Sequence, residues 1–294
     1  MVRGQLPLRH ARARHVPRST DPDGLYSLFH SSLVGANFNW SCVKNPKLDQ
    51  LLADGRKEAD PVRRRAINYA VDREAFLATV FKGTALKASS PLTAVMLDDP
   101  SLRAAYPFDA GKAKALLGEA GWQPGGDGIR VKGGQRLEIT LNAIEYGGGT
   151  DPTAQLIQSL LHDVGIDVKI KAQARPPWYE DNYRCATHGP VMFLRSTDPD
   201  GLFALFHTSL VGGNFNWSCV KNAKLDQMLE QGRRESDPAK RRALYLSIVQ
   251  LALDEALTVP LVDELSVWAF RSGVQGVKYN FNAYPVLGDA TLRK

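Results

Sequence analysis

The chain has 294 residues, 44% hydrophobic and 23% charged, which is enough apolar side chain to bury a core and excludes a disordered tail. Its net charge of +6 is concentrated in residues 1–18, with five arginines and no acid; the remainder carries 32 basic against 31 acidic side chains, which disfavours a nucleic-acid-binding body. No apolar run approaches the roughly 18–20 residues of a membrane helix, and no apolar stretch follows the basic start. The expectation is therefore neither anchor nor secretory signal, and a chain that stays in the cytoplasm.

In chain order, residues 1–17 come first, MVRGQLPLRHARARHVP. They read as a frame-shifted leader: suitable codons for Pro177–Leu194, PWYEDNYRCATHGPVMFL, read one base early return all seventeen of these residues, and loss of one base restores the frame at Arg18. No stable fold is expected of them. Residues 18–63 are a partial duplicate of 195–240. RSTDPDGLYSLFHSSLVGANFNWSCVKNPKLDQ from Arg18 returns as RSTDPDGLFALFHTSLVGGNFNWSCVKNAKLDQ from Arg195, with five differences in 33 positions. Two copies without a third indicate a duplication and not a solenoid. The first copy should compete for a place that the second already fills.

Asp60-Pro61 and Asp237-Pro238 both open helices, with Asp as N-cap and Pro at the first helical position. After a shared Arg-Arg-Ala the two diverge, so the junction lies within one helix near 62–66. Ile67, Ala70, Val71, Leu77, Val80 and Phe81 recur at helical spacing up to Gly83. Ser89-Ser90-Pro91 reads as a turn. Asp109 caps a second helix through Ala113, Leu116, Leu117 and Ala120 to Gly121. GIRVKGGQRLEITL is a hairpin centred on Gly133-Gly134. A helix from Pro152 to Val164 precedes the alternating strand Ile166, Val168, Ile170. VMFL at 191–194 reads as a buried strand, and Asp198 or Asp200 in the following loop starts a short helix, Asp198 most simply as its N-cap.

Several site types fail on spacing. His30 and His207 are one position counted twice and the other histidines are scattered, so no metal cluster is expected. GGDG at 125 precedes a strand instead of opening a helix, against a phosphate loop, and no G-x-S-x-G occurs. No cofactor is expected, and no catalysis. Cys42 is the duplicate of Cys219. Cys185 and Cys219 stand either as two buried thiols, the expected state, or as one disulfide.

The succession RRAINYAVDREAFLATVFKGTALKASSPL, YPFDAGKAKALLGEAGW, GGDGIRVKGGQRLEITL, AQLIQSLLHDVGIDVKI, STDPDG, NWSCVKNAKLDQML and RRALYLSIVQLALDEALTVPL resembles the extracytoplasmic solute-binding proteins of ABC transporters, family 5, which includes oligopeptide, dipeptide, nickel and glutathione binders. The resemblance implies a mixed α/β fold with two lobes, a small-molecule or peptide ligand, permease subunits as partners and a periplasmic setting for the parent family. It places lobe two at 64–260 and a return towards lobe one at 261–294, with lobe one largely missing. A fragment of such a binder is the reading adopted; the alternative is a non-functional product of a rearranged gene. In peptide-binding members an Asp three residues before the acid of the Asp-Pro step holds the ligand's amino terminus. That place is Arg195 here, followed by Ser196 and Thr197. An arginine fork suits a carboxylate or phosphate, so Arg195 either grips an anionic solute or makes an ion pair within the lobe. Trp217 either stacks on a ligand, with Asn214 and Asn216 donating hydrogen bonds, or packs in the core.

Overall fold

The computed structural model describes residues 61–93, 96–97, 99, 102, 106–146, 149–187, 189, 198–280 and 284–293. The expectations for residues 1–17, for the first copy up to residue 60 and for the strand at 191–194 lie outside these residues.

Helix α1 (Pro61–Ala70) is followed by α2 (Arg73–Phe76), which runs into a π turn at Leu77–Phe81. Spacing alone predicts one helix as far as Gly83, but the chain breaks at Val71–Asp72. Asp72 is extended (φ −81°, ψ 101°), and its carboxylate accepts from the Glu74 and Ala75 N–H groups at 3.0 and 3.3 Å, capping a new helix. The break turns Arg73 inward, to 6% exposure. Its guanidinium donates to the carbonyls of Pro260 (2.7 Å), Tyr106 (3.2 Å), Asn68 and Val71 and to Asn68 Oδ1. These acceptors are neutral, and burial lowers the Arg73 pKa to about 10.

Strand β1 (Ala85–Lys87) comes next, then a turn in which the buried Ser90 hydroxyl donates to the Leu92 carbonyl at 2.7 Å and accepts its N–H at 3.1 Å. Helix α3 (Ala110–Glu119) is capped by Asp109, which accepts from Lys112 N–H at 2.8 Å. Strands β2 (Gln123–Pro124), β3 (Arg130–Lys132) and β4 (Gln135–Arg136) form an antiparallel sheet. The β3–β4 turn is Gly133-Gly134 at φ 57° and 80°, the left-handed pair that a two-residue hairpin turn requires.

Strand β5 (Glu138–Tyr146) carries β6 (Gly149–Thr150) antiparallel on one edge. On the other it pairs in parallel with β7 (Asp167–Gln173), from Glu138 opposite Asp167 to Ile144 opposite Gln173. A parallel pair needs a crossover, and α4 (Pro152–His162) supplies it, capped by Asp151 on Thr153 N–H at 2.8 Å. Helix α5 (Arg175–Tyr183) follows β7. Then come α6 (Gly201–Phe206), a 3₁₀ turn at Thr208–Leu210, α7 (Ala223–Arg234) and α8 (Pro238–Asp254). Strand β8 (Val262–Glu264) pairs antiparallel with β1, Ala85 opposite Glu264. The short strands β9 (Val274–Gln275), β10 (Lys278–Tyr279), β11 (Pro285–Val286) and β12 (Thr291–Leu292) pair as β9 with β12 and β10 with β11.

Two apolar cores result. One lies between the β5–β7 sheet, α1 and α3, and holds Ala66, Ala70, Ala113, Leu117, Leu137, Ile139, Leu161 and Ile166. The other surrounds α8, where Tyr245, Ile248, Val249 and Leu253 meet Leu202 and Phe206 of α6 and Leu225 and Leu229 of α7. Helices α7 and α8 pack tightly at Gly232, where a Cβ would come within 2.9 Å of the Tyr245 ring. The architecture is mixed α/β, as the sequence predicts. No helix of the described residues is long and apolar enough to cross a membrane.

Candidate functional site

In open α/β sheets ligands bind beyond the C-terminal ends of the parallel strands, here β5 and β7. Asn142 of β5 organises this end. Fully buried, it donates from Nδ2 to the Trp178 carbonyl (3.0 Å) and to Asn182 Oδ1 (2.7 Å), and its Oδ1 accepts from Gln173 Nε2 at 2.8 Å. Its backbone N–H donates to the Gly189 carbonyl at 3.0 Å, and its own carbonyl accepts the Trp178 indole N–H at 3.3 Å. Asp181 of α5 accepts from Lys171 and Gln173 of β7, both at 2.5 Å; the lysine above all, then the glutamine, holds its carboxyl below the usual range. One asparagine and one aspartate thus fix α5 against the sheet. The signal for this hub in the sequence is a lone amide inside the apolar strand ITLNAI, which pattern reading passed over.

From α5 the structure reaches the Asn214–Trp217 loop. Trp217 is 4% exposed, its ring 5.0 Å from Trp178, 5.7 Å from Tyr179, 6.2 Å from Tyr183 and 5.2 Å from Phe215. Its indole N–H and the Asn182 Nδ2 are buried without a hydrogen-bond partner. Asn216 is fully buried and shapes the loop: Nδ2 donates to the carbonyls of His207 (3.1 Å) and Val220 (3.0 Å), and Oδ1 accepts from Val220 N–H at 3.2 Å. Its amide hydrogens are both engaged within the chain. Asn214 is half-buried on the same loop. Arg195, Ser196 and Thr197 lie outside the described residues.

Cys185 and Cys219 are joined in a disulfide, Cα atoms 6.1 Å apart, which corrects the expectation of two free thiols. Sequence spacing could not bring them together, because the turn after α5 and the Trp217 loop meet only through the aromatic cluster. Asp198 also departs from its expected role. Helix α6 begins after Asp200, whose side chain makes no capping bond. Asp198 instead accepts from Asp200 N–H (2.8 Å) and from both terminal nitrogens of Arg241 on α8 (2.6 and 3.1 Å). The hydrogen bonds from Arg241 hold the Asp198 carboxyl below its ordinary pKa. Asp200 accepts from the Tyr245 hydroxyl at 3.2 Å, and burial foremost, with Asp200 adding to it, pushes that hydroxyl up to about 12. The turn after residue 197 is therefore fastened to α8, and the segment before residue 190 to β5. What this end of the lobe exposes is aromatic, Tyr183 and Phe215, beside a clamped turn, while the unpaired N–H donors of Trp217 and Asn182 are buried. Among the described residues no three His, Cys, Asp or Glu side chains cluster as metal ligands.

Residues 31–216 match the family model described as bacterial extracellular solute-binding proteins, family 5, middle region. The chain belongs to this family. Protein XP55 of Streptomyces lividans is 34% identical over 224 residues, covering 74% of this chain and 40% of that protein. The oligopeptide-binding protein AppA from Bacillus subtilis, solved with a nonapeptide, superposes with a TM-score of 0.67 at 25% identity, over 80% of this chain and 48% of that one. NikA from Brucella suis, solved with Fe(III)-EDTA, gives 0.65 at 26% identity, again over 80% and 48%. The chain thus spans about two fifths of the length of the curated relatives it matches, and its mixed α/β fold corresponds to part of their two-lobed fold.

Proposed function

We propose that this chain supplies one wall of the solute-binding component of an ABC importer, taking peptides or a related small solute that bears a carboxylate, and handing it to membrane permease subunits. Family membership supports the class. The single observation that carries the ligand preference is the identity of residue 195: an arginine, whose planar fork suits a carboxylate. Ser196 and Thr197 beside it, and the side-chain amide of Asn214, are the further contacts proposed; all favour an acceptor-rich solute.

The test is thermal unfolding of the full chain with a tripeptide, its N-acetylated form and its C-terminal amide. Ligand at a hundredfold over Kd stabilises by about 2.7 kcal/mol. Acetylation should leave that shift intact, while amidation and Arg195→Ala should each abolish it. An amide that stabilises as well as the free acid, in both the wild type and Arg195→Ala, would overturn the assignment.

A second reading is favoured by the frame-shifted leader and by nothing else: a rearranged coding sequence whose product binds no solute. Long-read sequencing across codons 1–70 tests it, the duplicated segment with a lost base supporting rearrangement and an uninterrupted junction refuting it.

A further inference from the structure

Two unlike anchors meet at the Cys185–Cys219 bond. The turn after α5 is held to the sheet, where Asn142 bonds the Trp178 carbonyl and Asn182 Oδ1, and the Cys185 N–H donates to the Asn182 carbonyl at 3.2 Å. The Trp217 loop is held instead between the end of α6 and the start of α7: Asn216 bonds the carbonyls of His207 and Val220, and the Cys219 N–H donates to the Asn216 carbonyl at 3.3 Å. We infer that the disulfide is a redox latch: on reduction by a dithiol, the loop at 214–222 parts from α5 while both apolar cores stay folded.

The closed joint gathers features that disfavour it. Cys185 and Cys219 have φ of 52° and 54°, the left-handed region, which a residue with a Cβ holds at a cost and only where its surroundings impose it. The Trp217 indole N–H and the Asn182 Nδ2 are buried there without an acceptor, and water would satisfy both if the loop parted. Against this stand the ring contacts of Trp217 with Trp178, Tyr179 and Tyr183. The covalent bond decides the balance, because it keeps the two sides within reach of each other. Once it is cut, the ring contacts alone must offset the strained backbone, the buried donors and the lost freedom of the loop. Neither cysteine belongs to either core, so cutting the bond removes no core contact.

Both half-cystines are half-buried, within reach of a small dithiol. One thiolate of the dithiol attacks either Sγ, a mixed disulfide forms, and the other cysteine leaves as a thiolate. The second thiol of the reagent then displaces the bound cysteine and closes its own disulfide. Two electrons and two protons pass from the dithiol to Cys185 and Cys219, and the dithiol is oxidised. Opening uncovers Trp178 and Trp217, 3% and 4% exposed in the closed form, beyond the ends of β5 and β7. The latch is a property of this fold and does not rest on the solute it takes.

Hydrogen exchange read by mass spectrometry on the purified full chain tests this. Free thiols are first blocked with N-ethylmaleimide, so that excess dithiothreitol then acts on the Cys185–Cys219 bond alone. The expected result is exchange over 214–222 faster by about tenfold or more in the reduced chain, with β5 and residues 245–253 of α8 unchanged within about twofold. Removing the dithiol and re-forming the bond with oxidised dithiothreitol should restore the slow exchange. An unchanged 214–222 segment with the bond broken would make the tie passive, and a rise of the same size across β5 and α8 would make it a staple of the whole fold; either overturns the inference. So does blocking of Cys185 or Cys219 by N-ethylmaleimide before any reduction. Cys219→Ser should show the same local change without reductant, and the wild-type comparison stands by itself should that variant fail to fold.

Discussion

Helices α1 and α8 start alike and end in different company. Each opens on Asp-Pro and reaches Arg-Arg-Ala in the same register, Arg64–Ala66 against Arg241–Ala243. Ala66 is nonetheless fully buried against α3, while Ala243 is exposed. Arg64 donates to a backbone carbonyl at Glu255, whereas Arg241 grips the Asp198 carboxylate. Two residues on, Asn68 and Tyr245 occupy equivalent positions and are both fully buried, one bonded to Arg73 and the Thr258 carbonyl, the other packed in the α8 core. The shared opening sets where a helix begins; the residues after it decide which face it buries.

The largest expected effect on this pair is at the buried fourth turn-position of α8. Tyr245→Ala should cost about 3–5 kcal/mol in denaturant unfolding, through a cavity between α7 and α8. On the α1 side, Arg73→Met strands several buried carbonyls and should cost on the order of 3 kcal/mol; a loss under about 1 kcal/mol would show that water replaces the guanidinium. The same substitution in the two registers gives the sharpest contrast: Ala66→Leu overpacks and should cost about 1–3 kcal/mol, whereas Ala243→Leu should stay within about 0.5 kcal/mol. Equal costs would break the comparison.

The smallest effect concerns pH. The folded-state pKa of Asp198 is depressed below the 3.8 of an unperturbed carboxyl by its bonds to Arg241. Its contribution is therefore present above that unfolded value and is lost as pH falls through the lower, folded one. The carboxylate is half-exposed, so solvent screening holds the contribution to about 1 kcal/mol or less. Asp198→Asn should flatten the acid limb of the stability profile by this amount.

Features that depend on a few neighbouring residues were legible in the sequence. Gly133-Gly134 can hardly be other than a tight turn, and Asp109 and Asp237 cap the helices they precede. What escaped were choices made by distant partners. The partner that Arg73 finds once Asp72 breaks the helix, the Pro260 carbonyl, lies nearly two hundred residues away. The pairing of Cys185 with Cys219, and the diversion of Asp198 from capping to Arg241, depend likewise on how α5 and α8 lie. Asn216 and Trp217 stood out as polar and aromatic landmarks, but their neighbours, and so their burial, had no local signature.

The β1–β8 ladder makes the protein wait for its own synthesis. Residues 85–87 leave the ribosome well before their partners at 262–264 exist. At about 5–20 residues per second the interval is roughly 10–35 s. Throughout it β1 has an unsatisfied edge, and Arg73 lacks the Pro260 carbonyl that later receives it. The nascent chain thus carries an unpaired β1 edge, open to chaperones and proteases, until residues 262–264 emerge.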